Sequence, residues 1–205
     1  MTLCKNVGLL LPKHSALFVC DLQEKFSASI KYFDAIVSVA SRLLRAAKIL
    51  EMPVIVTEQY PKGLGRTVKE LGLDHYPDIE PIAKTQFSMM TENVLAMLKN
   101  NHPNVENIIL CGIETHVCVQ GTALQAIAAN YNVHVVVDAC SSRSMVDRMY
   151  AFDRMKQAGA WLTTSESVIL GLVADSSHPK FRDVQKIILQ IAPESGLIDF
   201  LVKKI

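Results

Sequence analysis

Aromatic residues make up only 6% of the chain, neither charge dominates, and no apolar run is long. Each shortage excludes something. Too few rings are present for a base-stacking platform of the kind that binds single strands. With 21 basic and 20 acidic residues spread along the sequence, the formal charge is +1. That leaves no electrostatic footprint for nucleic acid or for an anionic membrane surface. Nowhere do 18 apolar residues run without a charge, so no membrane span is expected. Paired cysteines are missing too. Cys4, Cys20, Cys111, Cys118 and Cys140 are odd in number and form neither a C-x-x-C pair nor a zinc-ribbon spacing. A reducing compartment follows. The expected one is the cytoplasm, with mitochondrial residence as the alternative. The first twenty residues carry Lys5, Lys13 and His14 and no acid, a weak likeness to a transit peptide, but they lack arginine, and LFVCD reads as core. The ending LVKKI matches no peroxisomal or endoplasmic-reticulum signal.

What is present is a globular composition. Half of the 205 residues are hydrophobic, at a mean hydropathy of +0.23. A chain of this length forms one domain, 1–205, and buries roughly 70% of its unfolded surface. Short β-type runs alternate with helical patterns. The strands expected are 15–21, 53–59, 107–114, 132–139 and 160–164, each a continuous apolar run. A first helix runs from a cap at Asp34 to Pro53, with Ile36, Val39, Ala40, Leu43, Leu44, Ala47 and Leu50 at helical spacing. The stretch 117–129 is apolar nearly all round, and Met145, Met149, Phe152 and Met155 stripe a helix that Gly159 closes. Ser165 is expected to cap another helix ending at Val173. The Phe181–Ile191 stripe marks a last one within a helical segment of about 177–205. Residues 60–91, rich in proline and glycine, read as loop. Uninterrupted apolar strands alternating with helices imply a three-layer α/β/α fold with a mainly parallel sheet.

In such sheets the site lies beyond the carboxyl ends of the strands. That selects Asp21, Glu58 to Tyr60, Glu114 to Cys118 and Asp138 to Arg143. No phosphate cradle is among them. The turn after the first strand, CDLQ, has no glycine, and in KGLGRTV Val68 stands where a third glycine belongs. His134, inside a β run, reads as a packed histidine. Cys118 falls where the third strand turns through GIETHV into a helix. A thiol in a first helical turn meets free N–H groups and the positive end of the dipole, which favour a thiolate. The same N–H groups can hold an oxyanion. Position alone also allows a buried structural cysteine. Asp21 reads as a base for the thiol or as a cap for its turn. Lys84, flanked by Pro81, Ile82 and Phe87, reads as a packed cation or a solvated one.

Five stretches together, ALFVCDLQEKF, PVIVTEQYPKGLG, KTQFSM, LCGIETHVCVQGTAL and VHVVVDACSSRS, resemble the isochorismatase-like cysteine hydrolases from about residue 14 to about 175. The most specific match is G-x-x-T-x-x-C-V, here Gly112, Thr115, Cys118 and Val119. The likeness is greatest to the isochorismatase domain-containing branch of animals. It implies Asp21 as general base, Lys84 as stabiliser of charge and Cys118 as nucleophile. It also implies a non-proline cis peptide joining Ile113 and Glu114, which turns the Glu114 N–H toward an oxyanion beside the Cys118 N–H. Gln23, Tyr60, Phe87 and His116 would line a substrate pocket, although His116 reads equally as a solvent-facing residue at the helix start. Nicotinamidases of this family hold a metal on histidines after the second strand. TEQYPKGLG has none, so no metal and no cofactor are expected. The expected activity is hydrolysis of an amide or related C–N bond in a small molecule. Alternatives are enol-ether hydrolysis with Asp21 as acid, or a non-catalytic protein of the same fold. A homo-oligomer, dimer or larger, is expected.

Overall fold

The computed structural model describes residues 7–197. Elements follow in the order β1 (Ser15–Cys20), α1 (Phe33–Ile49), β2 (Val54–Gln59), α2 (Pro61–Leu64), β3 (Ile82–Lys84), α3 (Glu92–Asn101), β4 (Asn107–Ile113), α4 (Gln120–Ala128), β5 (Asn132–Ser141), α5 (Met145–Gln157), β6 (Trp161–Thr163), α6 (Ser165–Val173) and α7 (Phe181–Ile188). The six strands form one parallel sheet in the order β3-β2-β1-β4-β5-β6. Helices α1, α6 and α7 pack on one another, α4 packs on α5, and the sheet lies between. This is the three-layer α/β/α architecture.

The central strands are continuous apolar runs because both their faces are covered. Every residue of β1 and of β4 is buried. Chain order reverses at β1, which has β2 and β3 on one side and β4, β5 and β6 on the other. A crevice opens at such a switch point, beyond the strands' carboxyl ends. Asp21 leaves β1 there and Glu114 leaves β4.

Four local expectations are corrected. Residues 60–91 are not all loop, because Ile82–Lys84 pairs with β2 as an edge strand, Gln59 opposite Lys84. Three residues are too few to show a strand's periodicity. Helix α3 was not expected. Only Val94 and Leu98 of it are buried, too thin a stripe to read. Helix α1 starts after Tyr32, which adopts a left-handed conformation, and Asp34 lies inside the first turn rather than at the cap. Helix α6 is capped from a distance. Thr164 is its flanking residue, and the Asp138 carboxylate accepts the Ser165 N–H (2.8 Å) and hydroxyl (2.6 Å). Of the segment about 177–205, α7 is observed. Residues 198–205, like Cys4 and Lys5, lie outside the described residues.

Candidate active site

Asp21 follows β1 in a left-handed conformation, φ 51°. Side chains of this type tolerate that region, which recurs at functional sites. Its carboxylate is sealed from solvent. Oδ1 accepts the Thr57 hydroxyl from the end of β2 (2.8 Å), and Oδ2 accepts the Lys84 ammonium (2.7 Å). The side chains of Asp21 and Lys84 are each 1% exposed. Lys84 spends its other two protons on Gln59 Oε1 and the Phe87 carbonyl, both at 2.8 Å. Burial pulls the Lys84 pKa down. Negative charge at Cys20, Asp21 and Cys118, with the bond to Asp21, outweighs burial and leaves it above the ordinary lysine value.

The sulfur arrives from β4. Gly112, opposite Cys20, has φ 116°, and a Cβ there would stand 2.1 Å from the Cys20 carbonyl oxygen. Glycine alone lets the two strands meet at this edge. The Ile113–Glu114 peptide is cis. Residues Thr115–Val119 then form a π-helical turn in which the Val119 N–H donates to the Glu114 carbonyl (3.2 Å). Such turns recur at functional sites. Thr122 ties the turn down, since its hydroxyl donates to the Cys118 carbonyl (2.6 Å) and accepts the Met89 N–H (2.8 Å). Cys118 Sγ, Cys20 Sγ and a carboxylate oxygen of Asp21 lie within 4.8 Å of one another. Burial, the hydrogen bond with Cys118, and the negative charge of Asp21 and Cys118 push the Cys20 thiol well above the usual range, against a smaller opposing pull from Lys84. Among the described residues these three are the one close cluster of metal-ligating types. The Lys84 ammonium already holds Asp21 and would compete with a cation there.

The Glu114 side chain is held by Arg143. Arg143, just beyond β5, donates to its carboxylate from Nε (3.1 and 3.2 Å), Nη2 (2.7 Å) and the backbone N–H (3.1 Å). Burial raises the Glu114 pKa, but the Arg143 bonds outweigh it and hold the carboxyl below its ordinary value. The carboxylate that follows the cis peptide thus arrives with its own counter-charge.

The remaining expected residues take different places. Gln23 is fully buried and spends its amide on backbone, donating to the Gln59 and Gly65 carbonyls (2.9 and 2.8 Å) and accepting the Gln59 N–H (2.7 Å). It braces the loop after β2. Tyr60 and Phe87 are more than half exposed. Tyr60 lies with Lys84 along an open groove of about 570 Å³. His116 has its Nδ1 3.0 Å from the Ser142 hydroxyl. Gln59 and Arg143 fall inside the selected strand-end windows without a role having been assigned to either, and Thr57 and Cys20 were not foreseen. A polar residue closing an apolar strand was the available signal for Thr57. For Cys20 there was none, because a cysteine ending an apolar run reads as core.

A doubly covered parallel sheet, with a cysteine, an aspartate and a lysine near its switch point, defines the class as an α/β protein with a polar cluster at the strands' carboxyl ends. The model of the Isochorismatase domain matches residues 15–167, and the chain belongs to that family. Isochorismatase domain-containing protein 2 of Xenopus laevis is 56% identical over 198 residues, covering 97% of this chain and 95% of that protein. The solved structure described as MAR1 ribonuclease from Caenorhabditis elegans is 54% identical, covers 92% of this chain and 96% of its own, and superposes with a TM-score of 0.88. The Escherichia coli YcaC gene product, described as an octameric hydrolase of unknown specificity, is 27% identical with a TM-score of 0.77, over 89% and 97% of the two chains. The family and fold are those of hydrolases. Among the described residues no helix is long and apolar enough to cross a membrane.

Proposed function

We propose that the chain is a metal-independent cysteine hydrolase that cleaves an amide or related C–N bond of a small molecule through an acyl-thioester. The observation that carries this is the meeting of the Cys118 sulfur and the Asp21 carboxylate within 4.8 Å, with the Lys84 ammonium 2.7 Å from that carboxylate. Asp21 takes the thiol proton and Cys118 attacks the carbonyl carbon. The backbone N–H groups of Glu114 and Cys118 hold the oxyanion. The proton passes to the leaving amine, and water attacks the thioester with Asp21 as base. Lys84 keeps the charge near neutral while the proton moves. Tyr60 and Phe87 form the entrance, where a planar or apolar group would rest, and His116 and Gln23 support the turn and the loop. The absence of histidine from TEQYPKGLG supports a reaction without metal. The free state of the four described cysteines fits a reducing compartment, for which we propose the cytoplasm. The octameric description of YcaC supports a homo-oligomer, which sedimentation would test.

The test is intact-protein mass spectrometry after incubation with a panel of small amides and activated esters. Acyl adducts are expected on Cys118 and are expected to vanish in Cys118→Ala. Turnover of an identified substrate unchanged in Cys118→Ala would overturn the mechanism. The name of the C. elegans relative favours a second reading, phosphodiester cleavage in RNA. The balanced charge of the chain weighs against it. RNA cleavage that Cys118→Ala abolishes, without any acyl adduct, would establish the second reading over the first.

A further inference from the structure

A second thiol stands inside the site, and the acyl-transfer scheme gives it nothing to do. Cys20 ends β1, is wholly buried, and donates its S–H to Asp21 Oδ2 at 3.5 Å. Its sulfur and that of Cys118 lie within 4.8 Å, with the same carboxylate beside both. Cys118 is 7% exposed and Cys20 is 0% exposed, so a small oxidant reaches Cys118 first. We propose that Cys118 and Cys20 form a reversible redox modification site, in which Cys118 reacts with a peroxide and Cys20 resolves the product as an intramolecular disulfide.

The chemistry balances. The Cys118 thiolate attacks one peroxide oxygen, the O–O bond breaks, and hydroxide leaves. Sulfur has given up two electrons and is now a sulfenic acid. The Cys20 sulfur then attacks the Cys118 sulfur. The S–S bond forms, the S–O bond breaks, and the departing hydroxide leaves as water with the proton that Asp21 takes from Cys20. Reduction by a dithiol returns both thiols and oxidises that dithiol to its own disulfide. The sulfurs need move only a few ångströms, within a turn that Thr122 and Met89 hold. An enzyme whose nucleophile is guarded in this way pauses under peroxide instead of losing its sulfur to irreversible oxidation.

This inference rests on Cys118 being the reactive thiol, so the experiment reads that separately. The reduced full-length protein is first labelled with limiting iodoacetamide and mapped by peptide. Cys118 is expected to take the label ahead of the other cysteines. Label spread evenly over them would refute the reactive-thiol reading itself. A second sample receives a small excess of hydrogen peroxide. The expected product has lost two hydrogens, contains a cross-linked Cys20–Cys118 peptide pair, and recovers full labelling at Cys118 after dithiothreitol. In Cys20→Ser and Cys20→Ala the same treatment is expected to add oxygens to Cys118 that dithiothreitol does not remove. A reactive Cys118 that gains oxygens in the wild-type protein while Cys20 stays free would overturn the inference and leave the proposed function standing. So would a disulfide joining other cysteines. The wild-type map decides the matter even if a Cys20 variant folds poorly.

Discussion

Replacing Lys84 by methionine removes the one cation that touches Asp21 among the described residues. The ammonium uses all three protons on buried or half-buried acceptors: the Asp21 carboxylate at 2.7 Å, and Gln59 Oε1 and the Phe87 carbonyl at 2.8 Å each. Methionine fills similar space and satisfies none of them. With the pair 1% exposed, water cannot take the place of the ammonium without opening the site. Breaking a buried pair from one side costs about 3–5 kcal/mol, because the remaining charge is stranded. For a domain of this size that corresponds to a drop of about 6–20 °C in Tm. The stranded charge gives the reasoning its check. Asp21→Asn removes that charge, so Asp21→Asn/Lys84→Met should be less destabilised than the sum of the two single variants, by about 1.5 kcal/mol or more. Denaturant melts of the four proteins at pH 7 measure this. A loss below about 1 kcal/mol for Lys84→Met, or strict additivity, would refute a sealed ion pair between β1 and β3.

Gly112→Ala should disrupt the seam between β1 and β4, since the new Cβ meets the Cys20 carbonyl at 2.1 Å and the backbone keeps φ 116°. A loss of several kcal/mol, or insoluble protein, is expected, whereas Gly171→Ala, with open space at its Cβ, should be neutral or mildly stabilising in the same melts. His134 stacks on Trp161 at 4.9 Å, and burial pushes its pKa down to about 4. The unfolded chain therefore binds the extra proton first as pH falls. Stability should decline from about pH 6.5 toward pH 4, by at most about 3 kcal/mol, and His134→Phe should flatten that limb of a Tm-against-pH curve. Arg143→Gln should lower kcat with little change in KM on an identified substrate if the proposed oxyanion role of the Glu114 backbone holds, because it releases the Glu114 carboxylate from Arg143. A rise in KM at constant kcat would instead give Arg143 a substrate-binding role.

The sheet was legible because β1, β2, β4 and β5 are buried on both faces, and burial of that kind writes itself as unbroken apolar sequence. β3 was not, since three residues at an edge carry no period. Yet it is β3 that delivers Lys84 to Asp21, through the pairing of Lys84 with Gln59. Caps were poorly legible, since neither Asp34 nor Ser165 serves as the cap expected. Ser144, which was not singled out from the sequence, accepts the Asp147 N–H at the start of α5. Asp138 caps α6 from 27 residues away, which no local pattern reveals. At the site, strand-end logic and the family motif selected Asp21, Glu114 and Cys118. Thr57 and Cys20 come from side chains meeting across strands, as does the partner of Arg143, and pairing register is a property of the fold. Glu114 shows the difference most plainly. As sequence it is a carboxylate, with no partner evident, in the turn to which the family resemblance assigns an oxyanion role. In the fold it is an anchor point for Arg143.

The central claim is that carboxylate and sulfur act as one unit, and the alkylation rate of Cys118 tests it most directly. At neutral pH, iodoacetamide should modify Cys118 first in the wild-type protein and about tenfold or more slowly in a folded Asp21→Asn variant. Equal rates at Cys118 in the two proteins would contradict the account.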